Sequence, residues 1–159
     1  MDEKMGLPEA PVYSCAFESW QANDQFHSPD VFVFDKNGKF IPYKDSLKPN
    51  CSGPAELFLA YLDPTHEYHL SDQYSIDTFY QLLNTTSCEK INYLKKEAVD
   101  FHIFITFTKW QGMYLQKNKT LVWLDSLSKN ENIKYELVFV NTDLQDCWSE
   151  SQKQFFKTR

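Results

Sequence analysis

Phe101-His102-Ile103-Phe104-Ile105-Thr106-Phe107-Thr108 limits the possible folds of this chain more than any other stretch. It is a β-branched and aromatic run, the composition of a strand that is apolar on both faces. Such a strand needs cover on both sides of its sheet. It runs into Lys109-Trp110-Gln111-Gly112-Met113-Tyr114 and then a helical stretch to about Ser128, with Leu121, Leu124 and Leu127 turned inward. A second buried-looking strand, Ile133 to Val140, closes with Asn141-Thr142-Asp143. Strand, helix and parallel strand connect by a right-handed crossover. The expected class is α/β: a mixed central sheet between helices, in three layers.

At 159 residues, with 42% hydrophobic and 16% aromatic residues, the chain is long enough for one domain with a substantial core. A net charge of −6 argues against a nucleic-acid partner, because phosphate contacts need clustered cations. No apolar stretch approaches the ~18 residues of a membrane span. The first residues, Met1 to Gly6, lack the apolar region of a signal peptide. A cytoplasmic protein is expected if Met1 is the native start, and a periplasmic or secreted one if the chain is a mature form.

Residues 1–28, with scattered aromatics and two prolines, are expected as an irregular or short-helical arm, and 29–159 as the domain. Val31 to Ile41 holds two apolar runs around Asn37-Gly38, a strong hairpin signal, with strands at about 31–35 and 39–43. Pro54 opens a helix to about residue 62, whose apolar face is drawn through Leu57, Phe58, Tyr61 and Leu62. A second helix starts at Ser75, a plausible N-cap, with Ile76, Phe79, Tyr80 and Leu83 as its stripe. A short helix is expected over 87–98, and a terminal helix from Ser149.

The Trp110-Gln111-Gly112-Met113-Tyr114 junction resembles the thioredoxin family, in which a central strand runs into Trp-Cys-Gly-Pro-Cys at a helix N-terminus. Gln111 and Tyr114 stand where the two cysteines would be, so dithiol exchange at this position is excluded. His27-Ser28-Pro29 followed by the 31–43 hairpin and a helix resembles the family's second half, where a cis-proline precedes the hairpin. That half comes first here, so the resemblance implies a circularly permuted order with the hairpin completing the sheet. It covers roughly 85 of the 159 residues. It further implies a shallow groove for extended peptide, lined by Trp110, Gln111, Met113, Tyr114, Pro29 and His27.

Other candidates carry less. Cys51, in Pro49-Asn50-Cys51-Ser52-Gly53-Pro54, places a thiol at a helix start, where thiolates are favoured. Cys15, Cys51, Cys88 and Cys147 are too widely spaced for a disulfide scaffold or a zinc knuckle, and idle thiols are the default. A pairing of Cys51 with another cysteine stays open if the protein is exported. Asp63, His66, Glu67 and His69 are metal-ligand types at a spacing that suits a solvated loop better. His102 is expected as a satisfied interior or edge histidine. Asp125, Asp143 and Asp146 lack the spacing of a catalytic carboxylate pair, and no phosphate or dinucleotide glycine motif appears.

Three functions follow as expectations. The first is a redox-inactive thioredoxin-like module that holds a protein or peptide and needs no cofactor or metal. The second is a thiol enzyme or redox protein acting through Cys51. The third is a structural subunit of an assembly.

Overall fold

A computed structural model describes residues 10–16, 29–44, 54–92, 98–108, 113–143 and 145–157. They form a mixed α/β fold, with seven strands in one sheet and four helices among the described residues. The strands are β1 (Val12–Cys15), β2 (Asp30–Asp35), β3 (Lys39–Phe40), β4 (Ser71–Ser75), β5 (Leu83–Asn84), β6 (Phe101–Phe107) and β7 (Tyr135–Asn141). The helices are α1 (Ala55–Ala60), α2 (Ile76–Gln81), α3 (Met113–Ser128) and α4 (Glu150–Lys157). Spatial order is β4-β3-β2-β6-β7-β1-β5.

The apolar run does become the centre of the sheet: all seven residues of β6 are buried. On one side β2 pairs with it antiparallel, from Asp30 opposite Thr106 to Asp35 opposite Phe101. On the other, β7 pairs parallel, from Phe101 beside Tyr135 to Phe107 beside Asn141. The expected hairpin therefore joins the same sheet, directly against the middle strand.

Strand alternation divides the core in two. Val31, Val33, Phe101, Ile103, Ile105, Phe107 and Phe139 pack with Ala55 and Leu59 of α1 and Trp123 and Leu127 of α3. Phe32, Phe34, Phe104, Val138 and Val140 turn the other way and pack with Ile76, Phe79 and Tyr80 of α2. Rings dominate this second cluster. Phe79 lies 4.8 Å from Phe104 and 5.0 Å from Phe32, centroid to centroid.

Ile76, Phe79 and Tyr80 line α2 as expected, whereas Leu83 falls in β5, and the Ser75 cap is as expected: the Ser75 hydroxyl accepts from the Thr78 N–H, and the Thr78 hydroxyl accepts from the Ser75 N–H. The face assigned to α1 needs correction. Leu57 and Tyr61 are 66% and 78% exposed, whereas Ala55, Leu59 and Leu62 are buried. The small residue Ala55 lets the helix approach the sheet, with Leu59 and Leu62 inside and Leu57 and Tyr61 outside. Asn130, just after α3, donates its Nδ2 to the carbonyls of Leu59, Ala60 and Leu62, the last at 2.9 Å, and so closes the end of α1.

Three further differences concern short or polar elements. Residues 12–15, within the stretch expected as an irregular arm, form β1, parallel to β7 and antiparallel to β5. The polar segment Ser71–Ser75 forms the edge strand β4 against β3. The described part of the expected 87–98 helix is instead a turn and a bridge: Thr85 N–H donates to Glu89 O at 2.8 Å, and Asn84 bridges Lys90. Cys88, with φ of 64°, sits in the left-handed region inside that turn, which an α-helix does not admit.

Gly38 fixes how the hairpin meets α2. Its φ is +79°, its N–H donates to Asp35 O, and its carbonyl accepts from Ile76 N–H, both at 2.8 Å. A Cβ built there would lie 2.4 Å from Ile76 Cγ2. Gly38→Ala combines a left-handed penalty with a core clash and is expected to cost about 2–4 kcal/mol, measured by denaturant unfolding. A loss below about 1 kcal/mol would contradict this account of the turn.

Candidate functional site

β1, β7 and β6 are parallel, so their carboxyl ends lie at one end of the sheet, the usual position for binding in α/β folds. β2 is antiparallel and begins there. Several buried polar side chains gather at this mouth. Asp30, 2% exposed, receives Lys44 Nζ on Oδ2, the Val31 N–H at 2.7 Å and the Tyr43 hydroxyl at 3.4 Å on Oδ1. Its own N–H donates to Thr106 Oγ1 at 2.8 Å. The Lys44 ammonium also sits over the Phe32 ring, 5.9 Å from its centroid.

A second group stands across β6. The Thr108 hydroxyl donates to the buried Asp143 carboxylate, and Gln145 Nε2 donates to the Asp143 carbonyl at 2.5 Å. Thr142 N–H and hydroxyl both donate to Phe107 O, at 2.9 and 3.1 Å. These bonds fix the last residues of β6 and β7 immediately before the chain enters residue 109.

Pro29 is brought to this mouth. Asp30 pairs with Thr106, so Pro29 stands one residue further along, beside the end of β6. Met113 and Tyr114 open α3, which follows that strand. Trp110 and Gln111 lie outside the described residues, as do His27 and Cys51. Sequence reasoning missed Asp30, Tyr43, Lys44, Thr106, Thr108 and Gln145. The signal that was present is an acidic residue at the head of an otherwise apolar strand.

Two of the cysteines depart from the default of idle thiols. Cys88 and Cys147 form a disulfide at the β5 edge, removed from the β6 junction by β7 and β1. Cys15 is a free thiol buried in β1, and burial pushes its pKa up to about 12, which leaves it inert at neutral pH.

His102 lies at the opposite end of β6, fully buried, with Nδ1 2.9 Å from Glu136 Oε2. It is interior as expected but satisfied on one side only among the described residues, where Nε2 has no hydrogen-bond partner. His66 and His69 are exposed, and no group of three or more metal-ligand residues occurs among the described residues. Asp63 accepts from Thr65 N–H and hydroxyl at 2.8 and 2.7 Å, which holds its carboxyl below the usual range. A shallow open depression of about 300 Å³ beside β4 is lined by Lys39, Asp72, Tyr74 and Ser75, with its lysine and aspartate already paired at 2.9 Å. No helix among the described residues is long and apolar enough to cross a membrane.

No protein-family model, no curated protein and no solved structure matches this chain.

The Asp30–Lys44 pair makes a direct prediction. Lys44→Met leaves a buried carboxylate without its counter-ion and is expected to cost about 3 kcal/mol. Adding Asp30→Asn should recover most of that loss in urea unfolding. Equal stability of the two variants would show that the ion pair does not govern this corner.

Proposed function

We propose that this protein is a binding module on a thioredoxin-like scaffold in re-threaded order, in which the former dithiol position serves a polypeptide partner instead of electron transfer. One observation carries the reading: β2 pairs antiparallel with β6 so that Pro29 stands at the carboxyl end of the strand leading to Trp110 and Gln111. The resemblance requires that neighbourhood, which a hairpin elsewhere in the sheet would not provide.

Further support comes from the arrangement around it. β6, α3 and β7 follow as strand, helix and parallel strand, and the hairpin is succeeded by α1, which shares a core with α3. Helices pack on both faces of the sheet, consistent with three layers. Gln111 offers a neutral amide and no nucleophilic sulfur. An extended peptide laid across this mouth would meet Trp110, Met113, Tyr114, His27 and Pro29 as apolar and aromatic surface, with Gln111 as a polar contact. The Cys88–Cys147 disulfide supports an oxidising compartment as the working environment.

The test begins with a displayed library of unstructured peptides, and the affinity of selected peptides is then measured by calorimetry. Trp110→Ala/Tyr114→Ala is expected to weaken binding at least about tenfold, or 1.4 kcal/mol, while the unfolding midpoint stays within a few degrees. Unchanged affinity in the folded variant would reject the groove.

A further inference from the structure

Asn37-Gly38 is the one Asn-Gly pair in the sequence, and Asn37 is exposed at the tip of the hairpin between β2 and β3. An asparagine before glycine is prone to spontaneous deamidation, because glycine leaves the backbone free to close a ring. The reaction needs the Gly38 nitrogen to lose its proton and swing onto Asn37 Cγ. In the folded turn both reacting groups are held elsewhere. Gly38 N–H donates to Asp35 O at 2.8 Å, the bond that closes a β-turn. Asn37 Nδ2 donates to Asp35 Oδ2 at 3.3 Å. The other carboxylate oxygen, Oδ1, accepts from Asn37 N–H at 2.9 Å and Lys39 N–H at 2.7 Å. One aspartate thus gathers the whole turn around itself. Gly38 is also buried, and its carbonyl accepts from Ile76 N–H at 2.8 Å, so freeing it breaks the bond to the head of α2.

We propose that Asn37 is a spontaneous deamidation site that Asp35 keeps closed, so that the reaction runs only through local opening of the hairpin turn. In the open turn the Gly38 nitrogen gives its proton to hydroxide and bonds to Asn37 Cγ. The Cγ–Nδ2 bond breaks, and the nitrogen leaves as ammonia after taking a proton from water, which restores the hydroxide. Water then opens the cyclic imide. Attack at Cγ gives an aspartyl residue, and attack at the main-chain carbonyl carbon gives an isoaspartyl residue. One water is consumed and one ammonia released, and nothing is oxidised or reduced. The isoaspartyl form lengthens the main chain by a carbon. It displaces Gly38 from a position without slack, where even an added Cβ would lie 2.4 Å from Ile76 Cγ2. Either product sets a second negative charge beside Asp35.

The full chain is incubated at mildly alkaline pH, native and in concentrated urea, and deamidation at residue 37 is followed by peptide mass spectrometry. Native deamidation is expected to run roughly 100-fold slower than in urea, and Asp35→Ala, folded by circular dichroism, at least about tenfold faster than the parent. Exchange of the Gly38 amide, read by NMR, should be slowed by the same factor as deamidation, because one opening admits both. The isolated isoaspartyl chain should unfold at lower urea than the parent. Equal rates in native and unfolded chain, or a folded Asp35→Ala no faster than the parent, would overturn the protecting role of Asp35. So would slow deamidation beside a freely exchanging Gly38 amide, a comparison made on the parent chain alone and so independent of how the variant folds. An unchanged urea midpoint for the isoaspartyl chain would overturn the link between this turn and α2.

Discussion

A seven-residue strand with every side chain buried cannot leave its backbone unpaired on either edge. Each orphaned N–H or carbonyl in that setting costs about 1–3 kcal/mol, so one open edge would consume a typical domain's stability. β2 closes one side of β6 and β7 the other, and both registers follow from this need. The antiparallel register carries Pro29 and Asp30 to the carboxyl end of β6. The parallel one carries Asn141 to Asp143 to the same place. The geometry of the mouth is thus a by-product of satisfying the middle strand.

Burial on both faces also explains why two cores exist and why they differ. The face shared with α1 and α3 is mostly aliphatic around Val31, Val33, Ile103, Ile105 and Leu59. The face under α2 is a lattice of phenyl rings from Phe32, Phe34, Phe40, Phe79 and Phe104. Large flat groups fill that gap with few residues, which suits a helix of only six. Gly38 then becomes necessary, because the hairpin turn must approach Ile76 more closely than any side chain permits.

What the sequence showed in advance followed from strength of pattern. β6, β7, the Asn37-Gly38 hairpin, the α2 stripe and the Ser75 cap each carry a local signal that tertiary context reinforces. β1, β4 and β5 do not: they have four, five and two residues, and β4 is polar because one edge faces water. The face of α1 was misjudged because Leu57, Phe58, Tyr61 and Leu62 also recur at helical spacing, so spacing alone admits more than one apolar face. Ala55 and Leu59 recur four apart and point inward, while Leu57 and Tyr61 follow the same spacing outward. At the mouth, Pro29 was legible as a proline ahead of a hairpin. Lys44, Tyr43 and Gln145 were not, since their role depends on contacts across the fold with Asp30 and Asp143. The pairing of Cys88 with Cys147 likewise depends on two turns meeting at the β5 edge, which spacing does not reveal.

Buried ion pairs are poor sources of stability, because desolvation offsets most of the attraction. An apolar pair in place of Asp30 and Lys44 would hold β2 about as well, so stability alone does not account for their presence. Their effect is directional: the carboxylate draws Tyr43 and Lys44 over the head of β2 and the Phe32 ring, shaping the rim beside Pro29. Asp143 and Thr108 do the same on the far side of β6. The contrast with His102 and Glu136 is instructive. That pair is buried and polar too, yet it lies toward the amino end of the parallel strands, with His102 opposite Phe34 in the sheet. Polar groups set at a rim order a surface for contact, whereas those sealed inside only add specificity to packing. That contrast is the physical ground on which the proposed binding surface is assigned to the carboxyl end of β6.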